Sequence, residues 1–474
     1  MIERVLSGIV LLTFVVFQSG DIKGMIPPTH TLQSSENQNP NVIVIVADDL
    51  GYGDLSCYGA DDIQTPNIDK LAKMGVRFTR FYSNGPECTP TRAALLTGRY
   101  QQRIGGLECA IGLGNVGRYD EALELSNKNE LGLPSAISAI PKMFNEQDYN
   151  TAIVGKWHLG NNDGDRPKDH GFDYSFGPIG GAVDYFHHTE PSGAFLNGTL
   201  DGSPDLFEND TLVRGEGKYL TQLLTEKSLQ WLENQTSDKP FFIYIPYTAP
   251  HSPYQAPGDF SDKPIVGDKM NEGDRETYIK MVESLDEGVG KIVDYVYQKG
   301  IQEKTLIVFF SDNGPARQKG SAGSLRGNKG QLFEGGIRVP CIASWPGTVD
   351  QGIDSDVVGM SMDFASSFAE MLHFTPEKSF DGMDILALGN DQDMDLQRDI
   401  FWRSKRYERI KKSVQDKNGL KYIFETDKHG TREYLFNLEI DLSEKDNLIR
   451  EMPTEASQLK EKLRIWENDV QAER

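Results

Sequence analysis

Val42-Ile43-Val44-Ile45-Val46-Ala47 is an unbroken apolar, largely β-branched run, and it ends at Asp48-Asp49. A strand with one wet face alternates polar and apolar residues, whereas continuous apolarity suits a strand buried on both faces of a sheet. Phe241-Phe242-Ile243-Tyr244-Ile245 and Thr305-Leu306-Ile307-Val308-Phe309-Phe310 read the same way, with Thr151-Ala152-Ile153-Val154 as a weaker fourth. Helical patterns lie between them. Thr65-Pro66 reads as the cap and first-turn proline of a helix running to Met74, with Gly75 as its stop. Val282, Leu285, Val289, Ile292 and Val296 recur at helical spacing, and Lys299-Gly300 closes that segment. Strands alternating with helices predict an α/β fold.

At 474 residues the chain has room for one large α/β domain and a smaller one. Hydrophobic and charged fractions of 38% and 25% are those of a soluble globular protein. A formal net charge of −22 argues against nonspecific nucleic-acid binding. The short apolar stretch from Val5 to Phe17, preceded by Arg4, reads as a secretory signal peptide over residues 1–24. It falls short of the about 20 apolar residues a membrane span needs, so no stable membrane insertion is expected. The expected location is outside the cytoplasm: periplasmic or secreted, or lysosomal or extracellular in a eukaryote. Residues 25–40 form a polar lead-in, 41–380 the large domain, and 381–474 a smaller α+β domain. In that last part, Lys421-Tyr422-Ile423-Phe424 and Tyr434-Leu435-Phe436 read as short strands before an amphipathic helix over about Thr454 to Asn468.

Each buried run ends in polar residues that a simple core does not need. The first ends at Asp48-Asp49, the run through Val308 at Asp312-Asn313, and the weak one at Lys156-Trp157-His158. The run from Phe241 leads through Thr248-Ala249-Pro250 to His251. Ligands of open α/β sheets bind at the carboxyl ends of strands. Asp48, Asp49, Asp312 and Asn313 are hard oxygen donors, which select calcium or magnesium over zinc. Taken singly, each pair is equally a turn former after a strand. Thr89-Pro90 reads as the cap of a helix continuing through Leu96 to Gly98, which puts Cys88 at its positive end with Arg92 one turn in. Four cysteines (Cys57, Cys88, Cys109 and Cys341) in an exported chain would ordinarily make two disulfides. With Cys88 reserved for chemistry at most one remains, and its pairing is open.

The run Cys88-Thr-Pro-Thr-Arg-Ala-Ala-Leu-Leu-Thr-Gly-Arg-Tyr100 resembles the signature of the type I, formylglycine-dependent sulfatases. Position 91 is threonine where that family usually has serine, so the hydroxyl is retained. Asp48-Asp49-Leu-Gly-Tyr-Gly-Asp54, Gly155-Lys156-Trp157-His158, Ala249-Pro250-His251, Ser311-Asp312-Asn313-Gly-Pro315 and Gly327-Asn328-Lys329-Gly330 resemble the successive blocks of the same family, in order. The resemblance, to arylsulfatases and N-acetylgalactosamine sulfatases, runs over about residues 41 to 345. It implies an alkaline-phosphatase-like large domain, a central mostly parallel sheet flanked by helices, and a C-terminal antiparallel sheet.

The same resemblance implies the site. One calcium ion would be held by Asp48, Asp49, Asp312 and Asn313, with Cys88, converted to 3-oxoalanine (formylglycine), completing the shell. Arg92 would orient the hydrate of that aldehyde, Lys156 and Lys329 would hold sulfate oxygens, His251 would protonate the departing alcohol, and His158 would assist sulfate release. A formylglycine-generating enzyme would be the maturation partner, and a sulfated carbohydrate or another small sulfate ester the substrate. Asp184-Tyr185-Phe186-His187-His188 follows the Lys156 block; Asp184, Tyr185, His187 and His188 are candidate substrate contacts, since aromatic rings suit sugar faces. Two other readings stand beside this one: a phosphomonoester or phosphonate hydrolase on the same fold, and a non-catalytic glycan-binding protein if Cys88 stays a thiol.

Overall fold

The computed structural model of the protein describes residues 39–137, 140–191, 202–215, 217–236, 238–390 and 398–473, with the backbone alone at 388–390. The signal segment 1–24 and nearly all of the lead-in 25–40 lie outside the described residues. A ten-stranded sheet dominates. From one edge it runs Ile353–Ser355, Val76–Phe78, Cys341–Ser344, Thr305–Ser311, Asn41–Ala47, Phe241–Pro246, Asn150–Val154, Tyr174–Gly177, Phe207–Glu208 and Thr211–Leu212. The five central strands from Thr305 to Tyr174 are parallel to one another, while antiparallel pairings appear toward the edges.

The strand Asn41–Ala47 explains its own composition. Val42, Val44 and Val46 point into one hydrophobic core, and Ile43, Ile45 and Ala47 into the core on the opposite face. Helices cover both faces, as a parallel sheet requires. Arg275–Gln298 carries Val282, Leu285, Val289, Ile292 and Val296 inward, with Asp274 capping it through Thr277 N at 2.9 Å. The C-terminal part holds four antiparallel strands, Ile400–Arg406, Arg409–Gln415, Leu420–Asp427 and Gly430–Asn437. The helix Pro453–Asp469 packs there through Ala456, Leu459, Leu463 and Trp466.

Three local expectations change. Thr65 does not cap Pro66–Lys73, because its hydroxyl is engaged by Ser56 and Asp69. The helix bearing the cysteine begins at Cys88 itself, after Glu87, and Thr89 donates its hydroxyl hydrogen to His158 O at 3.0 Å instead of capping. All four cysteines are free thiols, so the structure contains neither of the disulfides that export would ordinarily favour.

Candidate active site

Four strand ends are held in register by backbone bonds that continue the sheet ladder past its last residues. Asp312 N donates to Ala47 O at 3.0 Å, Asp48 N to Ala249 O at 3.0 Å, and Lys156 N to Pro246 O at 2.7 Å. The chain then turns sharply: Asp49 and His158 have φ of 66° and 56°, the left-handed region that side chains other than glycine seldom occupy. Gly155 precedes Lys156 at φ 145°, and a Cβ there would lie 2.0 Å from Pro246 O. Only glycine lets these two strands close this tightly.

These turns gather Asp48, Asp49, Lys156, Arg92, Asp312, Asn313 and Lys329 around Cys88. The Cys88 thiol donates to Asp48 Oδ1 at 3.2 Å and lies 3.5 Å from Lys156 Nζ and 3.7 Å from Lys329 Nζ. Lys156 pairs with Asp48 Oδ2 at 2.5 Å, and Lys329 with Asp49 at 2.8 Å. Arg92 does not reach the thiol; it clamps Asp312 Oδ2 through Nε and Nη2 at 3.0 and 2.8 Å and donates through Nη1 to Lys156 O at 3.0 Å. His251 Nε2 stands 3.8 Å from Asp49 Oδ2, while its Nδ1 lies 2.6 Å from Ser252 O. His158 turns Nε2 to Ile111 O at 3.0 Å and leaves Nδ1 buried with no hydrogen-bond partner among the described residues.

The charges act strongly because they are buried. Burial works against the ionised form of Asp48, but Lys156, His251, Arg92 and Lys329 outweigh it and hold its carboxyl far below the usual range. Asp312, by contrast, is pushed up to about 6 by burial and then by the Asp48 charge. Burial and then the Lys329 charge lower His251 to about 4, so its ring is neutral at pH 7. Burial, then Asp48, raises the Cys88 thiol well above its ordinary value, which makes it a poor nucleophile as it stands.

One ligand atom each from Asp48, Asp49, Cys88 and His251 lies within 4.8 Å of all the others. Asn313 adds a carbonyl: its Nδ2 donates to Asp49 Oδ1 at 2.8 Å, and its Oδ1 is buried without a hydrogen-bond partner among the described residues. Three crowded carboxylates and an orphaned amide oxygen are a donor set that fits a hard divalent cation.

The four candidate substrate contacts do not share one role. Asp184 is buried and accepts four bonds, from Phe186 N and His187 N on Oδ1 and from Gln255 Nε2 and Ile265 N on Oδ2. Tyr185 is buried and donates to Thr248 O at 2.8 Å and His251 O at 3.0 Å, which ties down the loop carrying His251. His188 is buried with Nε2 at Lys218 O, and half-buried His187 places Nε2 at Ser261 O. The geometry makes Asp184, Tyr185 and His188 internal braces. Two further participants went unread in the sequence: Tyr244, a buried phenol beside Arg92 and Asp312, and Tyr278, which donates to Asp49 O at 3.2 Å. The only signal for Tyr244 was one polar atom inside an otherwise apolar strand.

Fold and site together define a hydrolase of the alkaline-phosphatase-like class, with cations and carboxylates gathered at the sheet's carboxyl edge around a residue at a helix N-terminus. The Sulfatase family model matches residues 40–374, and the chain belongs to the sulfatase family. It is 33% identical to human N-acetylgalactosamine-6-sulfatase over 362 residues, 74% of this chain and 66% of that protein. It is 32% identical to human arylsulfatase A over 381 residues, 74% of this chain and 67% of that protein. The matched region therefore spans about two thirds of the length of these curated relatives. The solved structure of Ps i-CgsB in complex with k-i-k-neocarrahexaose superposes with a TM-score of 0.77 at 30% identity, covering 92% of this chain and 94% of that one. The phosphonate monoester hydrolase of Agrobacterium radiobacter shares the fold, with a TM-score of 0.61 at 19% identity, covering 91% of this chain and 96% of that one.

Proposed function

We propose that the protein hydrolyses sulfate monoesters of sulfated carbohydrates, at the site built around Cys88. The observation that carries this reading is the buried thiol flanked by Lys156 at 3.5 Å and Lys329 at 3.7 Å, inside a set of oxygen donors. A relative named for a sulfated sugar, N-acetylgalactosamine-6-sulfatase, and a neighbour solved with an oligosaccharide, Ps i-CgsB with its neocarrahexaose, support the substrate class.

Asp48, Asp49, Asp312 and Asn313 would hold a calcium ion, which supplies charge neutralisation for an anionic ester. Conversion of Cys88 to formylglycine by a maturation enzyme would supply, as the hydrate, one hydroxyl to attack sulfur and a second to expel sulfate. The remaining work belongs to the chain's own side chains. Lys156 and Lys329 bind the sulfate oxygens from two sides and stabilise charge as it develops. Arg92 fixes Asp312 and the Lys156 strand end, so that the two cations and the residue 88 helix keep one geometry. Burial and then the Lys329 charge depress His251, and an anion bound between the lysines offsets the second of these, so ester binding raises its proton affinity. His251 then donates to the departing alcohol. His158, next to Thr89 through its carbonyl, serves the proton movements of sulfate release.

Residues 41–380 would form the catalytic domain and 381–474 the C-terminal one, with 1–24 removed on export. Among the described residues no helix is long and apolar enough to cross a membrane.

The test is peptide mass spectrometry of the Cys88 segment from the native host, alongside assays with 4-nitrophenyl sulfate and 4-nitrophenyl phosphate. Sulfate-selective turnover with a mass about 18 Da below cysteine supports the reading. Phosphate-selective turnover, or an intact thiol in fully active protein, overturns it.

A further inference from the structure

The chain carries a net charge of −22, yet the ten residues from Arg403 to Lys412 hold six lysines and arginines against a single acid, Glu408. They form the hairpin of strands Ile400–Arg406 and Arg409–Gln415. Part of that charge is spent internally. Arg403 and Lys405 pair with buried Glu108, and Lys412 pairs with Glu467. At the tip Arg406 is likewise paired, with buried Glu87, and Lys411 lies 3.9 Å from Glu425, whereas Arg409 is exposed beside Glu408.

The tip sits against the active site. Arg406 reaches Glu87, the residue before Cys88, at 2.8 Å, and Lys411 Nζ donates to Gly330 O, the residue after Lys329, at 2.5 Å. Arg409 is exposed and makes no ion pair among the described residues. Arg118 approaches from the other side: its Nη1 donates to Tyr407 OH at 3.3 Å, and its carbonyl accepts from Tyr407 N. The loop leading to Arg118 lines a cavity of about 260 Å³ together with His158. Tyr407 itself is 64% exposed at φ 53°, a backbone position that favours glycine or asparagine. An exposed aromatic held in a costly conformation at the rim of a site suits stacking on a sugar ring. Burial lowers the pKa of Lys411, against the opposing charges of Glu425 and Glu87 and with a smaller contribution from Arg409 and Arg432.

We infer that the tip of this hairpin, with Arg118, is a second anion subsite that takes a sulfate or carboxylate on the sugar adjoining the one whose sulfate lies at Cys88. The inference rests on the sulfatase reading of that site and names its substrate more closely: a glycan with repeated negative charge, gripped at two points. A cationic rim on an acidic protein also steers such a chain inward and repels it elsewhere.

The experiment measures binding of fluorescently labelled dextran sulfate and labelled polygalacturonate to the full chain by anisotropy. It needs no turnover, so it stays readable if the chemistry at Cys88 proves different; native turnover of 4-nitrophenyl sulfate decides that question separately. Arg409→Glu is expected to weaken polyanion binding at least about tenfold at about 50 mM salt and to flatten its salt dependence, because the lost contact is electrostatic. Lys411→Ala is expected to weaken it severalfold, with melting temperatures confirming that both variants fold. Loss for dextran sulfate alone assigns the subsite to sulfate, loss for polygalacturonate alone to carboxylate, and loss for both to either anion. Failure of the native protein to bind either polymer, or equal binding by native and Arg409→Glu protein, overturns the proposal.

Discussion

Two buried charge clusters in this molecule are alike on paper and opposite in use. At the sheet edge, Asp48, Asp49 and Asp312 face Arg92, Lys156 and Lys329. Beneath the C-terminal sheet, Glu334 and Glu444 face Lys421 and Arg338. Each cluster balances in formal charge, so balance does not mark a working site. Access and leftover valence do. Lys421, Glu334 and Glu444 have no exposed side-chain surface, whereas Lys329 keeps 24% and His251 13%. Among the described residues the sheet-edge cluster also holds Asn313 Oδ1 and His158 Nδ1 without hydrogen-bond partners, whereas Glu444 Oε1 of the second cluster, likewise without a hydrogen bond, ion-pairs with Lys421 Nζ at 3.0 Å. The second cluster instead stitches the C-terminal sheet to the segment just after Lys329: Lys421 bonds Glu334 at 2.8 Å, and Glu334 N donates to Glu444 at 2.7 Å. One cluster is open to solvent at Lys329 and His251; the other is closed and holds its neighbour in place.

Substitutions should separate the two. Cys88→Ala is expected to cut turnover on the order of 10⁴-fold or more, with the melting temperature nearly unchanged, since the role proposed for the residue lies in the chemistry and not in the fold. Parallel rate and melting measurements check both halves. His251→Ala should cost about 10²–10⁴-fold for sulfate esters of alcohols and much less for 4-nitrophenyl sulfate, whose leaving group needs no proton. Equal losses on both substrates would remove His251 from the acid role. Lys421→Ala, in the closed cluster, is expected to lose about 3–5 kcal/mol of stability by denaturant unfolding, because it strands two buried carboxylates. A variant as stable as the native protein would show the closed cluster to be dispensable.

The smallest effect is a pH slope. Burial raises Glu444 from an ordinary 4.5 to about 7, although Lys421 opposes the shift. Folded protein therefore keeps this proton where unfolded chain has lost it, so this residue's contribution to stability declines as pH rises from about 4.5 to about 7. Melting curves of Glu444→Gln should lack that decline; an identical slope in both proteins would place the proton elsewhere.

The central strands could be read in the sequence because burial on two faces demands continuous apolarity, as Val42 to Ala47 display. The residues at the strand ends were legible for a related reason: Asp48-Asp49, Lys156, His251 and Asp312-Asn313 interrupt apolar runs where a core needs none. The loop residues were not. Asp184 and Tyr185 look like pocket residues by composition, yet they bond the backbone of the segments bearing His251 and Ile265. Composition does not tell which way a side chain in an irregular loop turns.

By itself the sequence determined the α/β alternation, the family and the roster of charged residues around Cys88. It did so because strand burial and ionisable side chains leave local marks in the chain. Only the tertiary structure decided how those residues are paired. Arg92 takes Asp312 rather than the thiol, His158 turns toward Ile111, and the hairpin from Arg403 to Lys412 comes to rest against Glu87 and Gly330. Those contacts join residues as much as 319 positions apart in the chain. Their energies depend on distance and burial, which arise only when separate strands and loops are packed together.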